Sequence, residues 1–125
     1  MILAKALLCL ALTVYHEARG EPLLGQKAVA YVTVNRADSQ HEVCKVVYEK
    51  NQFSWTSDPK LQVKDNFAFS EAKQIAREVL SDQDKSEDPT NGATHFHNNK
   101  VKPAWSKRFK RTLKVGNHTF YKPRH

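Results

Sequence analysis

The chain has 125 residues, the length of one domain with a single modest core, and residues 1–125 are interpreted as one catalytic domain. With 40% hydrophobic and 26% charged residues, the composition excludes intrinsic disorder. The formal net charge is +7, and the excess of Lys and Arg lies mostly after Pro103. Such a surface attracts polyanions, although a solvated basic face that only aids solubility is an equally good interpretation.

The two cysteines, Cys9 and Cys44, lack the local spacing of a zinc site or a redox pair. Both have apolar neighbours in the sequence, which favours two buried free thiols. A single disulfide is the alternative.

The first fifteen residues resemble a signal peptide, because Lys5 precedes an apolar run. No small-x-small cleavage site follows, and the run is short for a membrane span. A core helix from about Leu3 to Arg19 is the better interpretation, since Gly20 provides a C-terminal cap and Pro22 prevents continuation.

The later elements follow from periodicity and turn residues. In chain order they are a helix over Leu24–Arg36, a shorter helix over Glu42–Glu49, an amphipathic helix over Ser70–Leu80, a short strand over Thr94–His97, and a hairpin whose strands Thr112–Val115 and His118–Tyr121 flank Gly116-Asn117. Helices followed by a small antiparallel sheet predict an α+β domain.

Glu17 is the most informative position in the first predicted helix. The apolar stripe of that helix consists of Leu3, Leu7, Leu10 and Val14. Glu17 continues the stripe and lies in the last turn, so partial burial and the helix C-terminus both disfavour its anion. A carboxyl group that stays protonated near neutral pH suits a general acid for glycosidic cleavage. A carboxylate paired with Arg19 explains the spacing equally well.

Several motifs together resemble the spore-cortex-lytic, or cell-wall hydrolase, family of peptidoglycan lytic transglycosylases. They are VYHEARGE at 14–21, Gly25-Gln26, Ala28-Val29-Ala30, Val34-Asn35-Arg36, Gln52-Phe53-Ser54-Trp55, Asp88-Pro89-Thr90, Gly92-Ala93-Thr94, Trp105, and GNHTFY at 116–121. They occur in the right order over nearly the whole chain.

The resemblance implies a lysozyme-like α+β fold and cleavage of the MurNAc–GlcNAc β-1,4 bond, with Glu17 as acid/base and a 1,6-anhydro-MurNAc product. The chain departs from the family at His16, where members often carry Gly, and at His95-Phe96-His97, where they are rich in aromatic residues. Spore-cortex members also carry a wall-binding module that does not fit in 125 residues, so we expect a substrate other than dormant-spore cortex.

A transglycosylase can work with one carboxylate, whereas a hydrolase normally needs two. Glu17 acts first as acid and later as base, while the MurNAc acetamido and 6-hydroxyl groups replace the nucleophile and the water. Glu21 is the obvious second carboxylate, but the Gly20-Glu21-Pro22 break favours a structural role for it. Lysozyme-type hydrolysis of the same bond remains the alternative.

Polar and aromatic side chains are expected to bind the glycan along a cleft. The predicted substrate-binding residues are Arg19, Gln52, Phe53, Ser54, Trp55, His95, His97 and Tyr121. Arg19 is at least as suited to fixing Glu17, and Asn35 and Arg36 to bracing the second helix.

The histidines offer a competing interpretation. His95 and His97 alternate along a predicted strand, and with His118 they would form a zinc trio in a metal-dependent nuclease. No carboxylate adjoins them and Glu17 would stay unexplained, so no metal or other cofactor is expected.

The expected partners are peptidoglycan glycan strands, with electrostatic attraction to anionic wall or outer-membrane polymers. We expect a monomer with no nucleic acid partner and no stable membrane span. A short basic domain without a clear cleavable signal is typical of a bacteriophage endolysin, made in the host cytoplasm and acting on the cell wall, in the periplasm or envelope, after lysis. A bacterial remodelling enzyme would look the same.

Overall fold

The structure is a computed structural model that describes residues 1–49, 53–57 and 63–124. Its helices are α1 (Ala4–Ala18), α2 (Leu23–Arg36), α3 (Val43–Val47) and α4 (Asn66–Ser81), its strands are β1 (His95–Asn98), β2 (Lys110–Val115) and β3 (His118–Lys122), and short 3-10 helices span Gln40–Glu42, Ser54–Ser57 and Ala104–Lys107. We call residues 1–88 the helical lobe and residues 89–124 the sheet lobe. The predicted α+β class is confirmed.

Helix α1 is the centre of the helical lobe, because α2, α3 and α4 all pack against it. Its apolar stripe faces this core, where Leu10 and Val14 are fully buried. Transfer of such side chains from water stabilises the fold by about 1.5–3 kcal/mol each. The interpretation of the N-terminal apolar run as a core helix is therefore confirmed, and no helix in the described ranges is long and apolar enough to cross a membrane.

Helix α4 begins four residues earlier than predicted. Its N-cap is Asp65, whose carboxylate accepts a hydrogen bond from the Ala68 backbone N–H at 3.0 Å. The Tyr15 hydroxyl of α1 accepts hydrogen bonds from the backbone N–H groups of Lys64 and Asp65, both at 3.0 Å. Contacts across 50 residues of sequence thus fix this helix start, which periodicity alone does not reveal.

The expectation of two free thiols is wrong, because Cys9 and Cys44 form a disulfide. The two residues are 35 apart in the sequence, and the packing of α3 against α1 brings them together. The α3 helix itself is shorter than predicted, since its first turn is a 3-10 helix.

The three strands form an antiparallel sheet in the order β1-β3-β2. The predicted hairpin is confirmed, and Gly116 occupies its turn with φ +56°. Strand β1 lies at one edge of the sheet. Phe120 of β3 is fully buried, and it joins Ala18 of α1 and Val29 and Val32 of α2 in a second core between the lobes.

Candidate active site

A cleft of about 550 Å³ lies between α1, α2 and the edge strand β1. Its lining residues are His16, Glu17, Val32, Thr33, Arg36, Val46, Phe53, His95, Phe96, His97, Asn98, Val101, Pro103, Trp105 and His118. Both lobes therefore contribute walls, and the site exists only once they have docked.

Glu17 projects into this cleft from the last turn of α1, and it is the only Asp or Glu among the described lining residues. Burial raises the pKa of Glu17 above its usual range, and the nearby Trp55 indole N–H lowers this pKa by a smaller amount. Within the described ranges no cation pairs with the carboxylate. The environment therefore favours the protonated form that a general acid requires.

Trp55 is held beside Glu17 by ring contacts. Its indole lies 4.7 Å from the His16 ring and 6.1 Å from the Phe53 ring, centroid to centroid. The indole N–H is buried and acts on Glu17 by hydrogen bonding, at a looser geometry than an ordinary hydrogen bond. His16, the residue that departs from the family pattern, thus lies in the cleft and supports Trp55.

Of the four predicted binding residues in the segment 52–55, the structure describes the side chains of two. Phe53 is buried and lines the cleft, and Trp55 stacks directly behind the lining. Gln52 and the side chain of Ser54 lie outside the described residues, so their roles stay predictions.

Arg19 lies at the exposed end of α1, away from the described cleft lining. Its guanidinium donates a hydrogen bond to the Tyr15 hydroxyl and lies 4.6 Å from the centre of the Tyr15 ring. The pairing of Arg19 with Glu17 considered from the sequence is absent among the described ion pairs. A role for Arg19 in substrate binding stays a prediction.

An aromatic cluster covers the outer face of the sheet at the cleft mouth. The His97 ring stacks on Tyr121 at 5.3 Å, and its Nε2 lies 3.0 Å from the Tyr121 hydroxyl. Trp105 lies 5.2 Å from the His95 ring and 5.3 Å from the Tyr121 ring. His95 and His97 therefore line the cleft, while Tyr121 supports them from behind.

The zinc trio is not assembled. His118 pairs with Asn98 in the sheet register, and its ring contacts Phe96, so it faces the opposite side of the sheet from His95 and His97. The described ranges contain no group of three His, Cys, Asp or Glu side chains placed to hold a metal ion.

Glu21 connects the two lobes. Its Oε1 accepts a hydrogen bond from the Asn117 backbone N–H at 2.8 Å, and its Oε2 accepts one from the Asn117 side chain at 2.9 Å. The backbone hydrogen bond from Asn117 is the largest cause that lowers the pKa of Glu21. The carboxylate is thus anionic at neutral pH and fixes the β2–β3 turn.

Eleven described lining residues were not expected in the cleft from the sequence, and they include His16, Thr33, Arg36 and Trp105. Arg36 was expected only to brace α2, yet it is the only Lys or Arg among the described lining residues, with Glu49 at 3.8 Å. Burial lowers the pKa of Arg36, partly offset by Glu49. For both Arg36 and Trp105, the available signal was their place among the residues that carry the family resemblance.

Comparison with known proteins covers most of the chain. Residues 20–121 match the Cell Wall Hydrolase family model, so the matched segment begins three residues after Glu17. The spore cortex-lytic enzyme of Halalkalibacterium halodurans is 31% identical over 115 residues, which cover 89% of this chain and 33% of that protein. The Bacillus subtilis spore cortex-lytic enzyme is 35% identical over 92 residues, which cover 71% of this chain and 28% of that protein. The chain thus spans about a third of the length of these relatives.

Solved structures extend the similarity to α1. The catalytic domain of the Bacillus cereus SleB protein superposes with a TM-score of 0.78 at 29% identity, covering 98% of this chain and 93% of that one. The catalytic domain of the germination-specific lytic transglycosylase SleB of Bacillus anthracis superposes with a TM-score of 0.77 at 30% identity, and the match covers 96% of both chains. The expected lysozyme-like fold is confirmed, and the chain belongs to the cell wall hydrolase family.

Proposed function

We propose that this chain cleaves the MurNAc–GlcNAc β-1,4 bond of peptidoglycan as a lytic transglycosylase. The observation that carries the proposal is Glu17, a partly buried carboxyl group in the cleft with a raised pKa and no second carboxylate in the described lining. The name of the Bacillus anthracis relative agrees with this reaction class.

Glu17 in its protonated form donates its proton to the glycosidic oxygen as the C1–O bond breaks. The Glu17 carboxylate then takes the proton of the MurNAc 6-hydroxyl while the 6-oxygen bonds to C1 and closes the 1,6-anhydro ring, so Glu17 ends the reaction protonated again. This internal attack is favoured, since the reacting hydroxyl is already held in the same molecule. Because the acid form is required, activity falls as the pH rises through the pKa of Glu17, which burial raises.

The cleft offers suitable groups for a sugar chain. Phe53 and Trp105 contribute aromatic rings to its lining, and His95 and His97 contribute rings with polar nitrogen atoms. Arg36 provides the positive charge that the lactyl carboxylate or a stem-peptide carboxylate of MurNAc requires.

The sheet lobe supplies a second, electrostatic contribution to wall binding. Residues 89–125 contain nine of the twenty Lys and Arg residues and none of the thirteen Asp and Glu residues. A surface of one sign raises the local concentration of an anionic polymer. Anionic wall or outer-membrane polymers are the partners that we propose for it.

The chemical structure of the product distinguishes a lytic transglycosylase from a hydrolase. Digested peptidoglycan is separated and weighed by mass spectrometry, with and without borohydride. We expect muropeptides one water lighter than hydrolysis products, with MurNAc ends that borohydride does not reduce. Reducing MurNAc ends would make the enzyme a lysozyme-type hydrolase, and reducing GlcNAc ends would show that a different bond is cut.

A further inference from the structure

His118 is a cleft residue that the proposed function leaves without a role. Its side chain is 5% exposed, and it lines the same cleft as Glu17. Its Nδ1 is buried and makes no hydrogen bond, although buried ring nitrogens normally have a partner.

The Glu21 carboxylate lies close to this unpartnered nitrogen. Nδ1 lies 3.6 Å from Glu21 Oε1, too far for a closed hydrogen bond but near enough for a strong electrostatic attraction. An anion beside Nδ1 favours the tautomer that carries the proton on Nδ1. The Nε2 atom then holds a lone pair.

His118 lines the cleft and its Nδ1 is buried on the Glu21 side, so Nε2 is the ring nitrogen left to serve a ligand in the cleft. Burial lowers the pKa of His118, Glu21 partly offsets this effect, and His97 adds to it. The neutral imidazole is therefore the prevailing form at neutral pH. A carboxylate that orients an imidazole, which in turn accepts a proton, is a recurring arrangement in acid–base catalysis.

We propose that the Glu21–His118 pair is the second proton carrier of the cleft, with His118 Nε2 accepting the proton of the attacking hydroxyl. The inference rests on the proposed function and reassigns its base step. Glu17 gives its proton to the leaving oxygen as the C1–O bond breaks, and C1 bonds to the MurNAc 6-oxygen. The hydroxyl proton passes to Nε2, and the imidazolium returns it to the Glu17 carboxylate through water.

The pair also accounts for the absence of a second carboxylate in the described cleft lining. Glu21 does not reach the cleft itself, since both of its oxygens accept hydrogen bonds from Asn117. It acts through His118 and is a positioning residue.

Several other titratable or charged groups share the cleft lining with His118, and His97 among them acts on its pKa. They are Glu17 and His16 on α1, Arg36 on α2, and His95 and His97 on β1. Their charges influence the absolute pKa of His118 in every variant, so the test compares variants that leave all five in place.

The test measures the pH profile of kcat/KM on solubilised glycan chains for the parent and for His118→Gln, Glu21→Gln and Asn117→Ala. The glutamine of His118→Gln cannot titrate. We therefore expect kcat/KM to fall by about 10²-fold or more and the acidic limb of its pH profile to disappear. Glu21→Gln removes the anion that raises the pKa of His118, so the acidic limb should move to lower pH.

Asn117→Ala is the matched control, because it removes one hydrogen bond of Glu21 and keeps the charge. Its acidic limb should stay in place. The inference is overturned if His118→Gln keeps activity within tenfold of the parent, if the Glu21→Gln limb does not move, or if Asn117→Ala moves it equally.

Circular dichroism and retention on insoluble wall establish that each variant is folded. If His118→Gln fails to fold, the paired profiles of Glu21→Gln and Asn117→Ala decide alone. A Glu17→Gln variant separates the two proposals. An inactive Glu17→Gln with a fully active His118→Gln overturns the second proton carrier only, whereas an active Glu17→Gln overturns the proposed function.

Discussion

Glu17 and Glu21 lie four residues apart at the end of α1, and their surroundings shift them in opposite directions. Glu17 belongs to the helical lobe and faces the cleft, where burial raises its pKa. Glu21 follows the turn at Gly20 and reaches the sheet lobe, where hydrogen bonds from Asn117 lower its pKa. The same functional group is thus prepared as an acid in one place and as a fixed anion in the other, because the partners differ.

Exchanging each carboxylate for its amide is the strongest test of this comparison. Glu17→Gln removes the transferable proton with little change of shape, and we expect a loss of about 10²–10⁴-fold in wall cleavage. Glu21→Gln should lose clearly less activity, because Glu21 lies outside the described cleft lining and its exchange leaves the Glu17 proton in place. Turbidity of a wall suspension measures both, and equal losses would show that the two positions are not distinct.

Reducing the disulfide should destabilise the helical lobe but leave the catalytic activity of the folded protein unchanged. The Cys9–Cys44 bond closes a loop of 35 residues, so its loss should lower the free energy of unfolding by about 3–4 kcal/mol. Urea unfolding with and without dithiothreitol measures the effect. Activity at 25 °C should persist, because neither cysteine is part of the described cleft lining, and unchanged stability would contradict the prediction.

The turn that Glu21 holds can be tested with two glycines. Gly116 has φ +56°, and a Cβ there would lie 2.3 Å from Glu21 Oε1, whereas Gly20 has φ +87° with open space around it. We expect Gly116→Ala to cost about 2–3 kcal/mol and Gly20→Ala about 1 kcal/mol, because the second variant carries only the backbone strain. Thermal unfolding compares them, and equal costs would mean that Glu21 moves aside freely.

The charge difference between the lobes should affect binding to the wall more than catalysis. Neutralising the exposed Lys107, Arg108, Lys110 and Arg111 together should weaken binding to whole wall a few-fold at low salt, and less at high salt where charges are screened. Cleavage of a short soluble glycan chain should hardly change.

The matched control neutralises four exposed cations of the helical lobe: Lys5, Lys45, Lys73 and Arg77. These are interspersed with acidic residues, so binding should change less. An equal loss on whole wall and on the soluble chain would place the sheet-lobe cations in the active cleft.

Chelation should have the smallest effect. Because His118 faces away from His95 and His97 in the sheet, we expect cleavage to survive EDTA. Loss of cleavage with EDTA and its recovery with zinc would restore the interpretation as a metal-dependent enzyme.

Much of the fold was predictable because its signals are local. The stripe of α1 appears in four residues of helical spacing, and the hairpin is marked by Gly116. The early start of α4 was missed, since apolar periodicity does not mark the Asp65 cap and the Tyr15 hydroxyl that also fixes it lies far away in the sequence. The disulfide was missed for the same reason.

The helical periods, the turn positions and the exceptional placement of Glu17 on an apolar stripe could be predicted from local sequence patterns. These features depend on residues within one or two helical turns of each other. Three features depend instead on the packing of distant segments: His16 and Arg36 line the cleft, Glu21 binds Asn117, and His118 is separated from His95 and His97. Docking of the two lobes creates the first two, and the pairing of β1 with β3 creates the third, so no local preference reveals them.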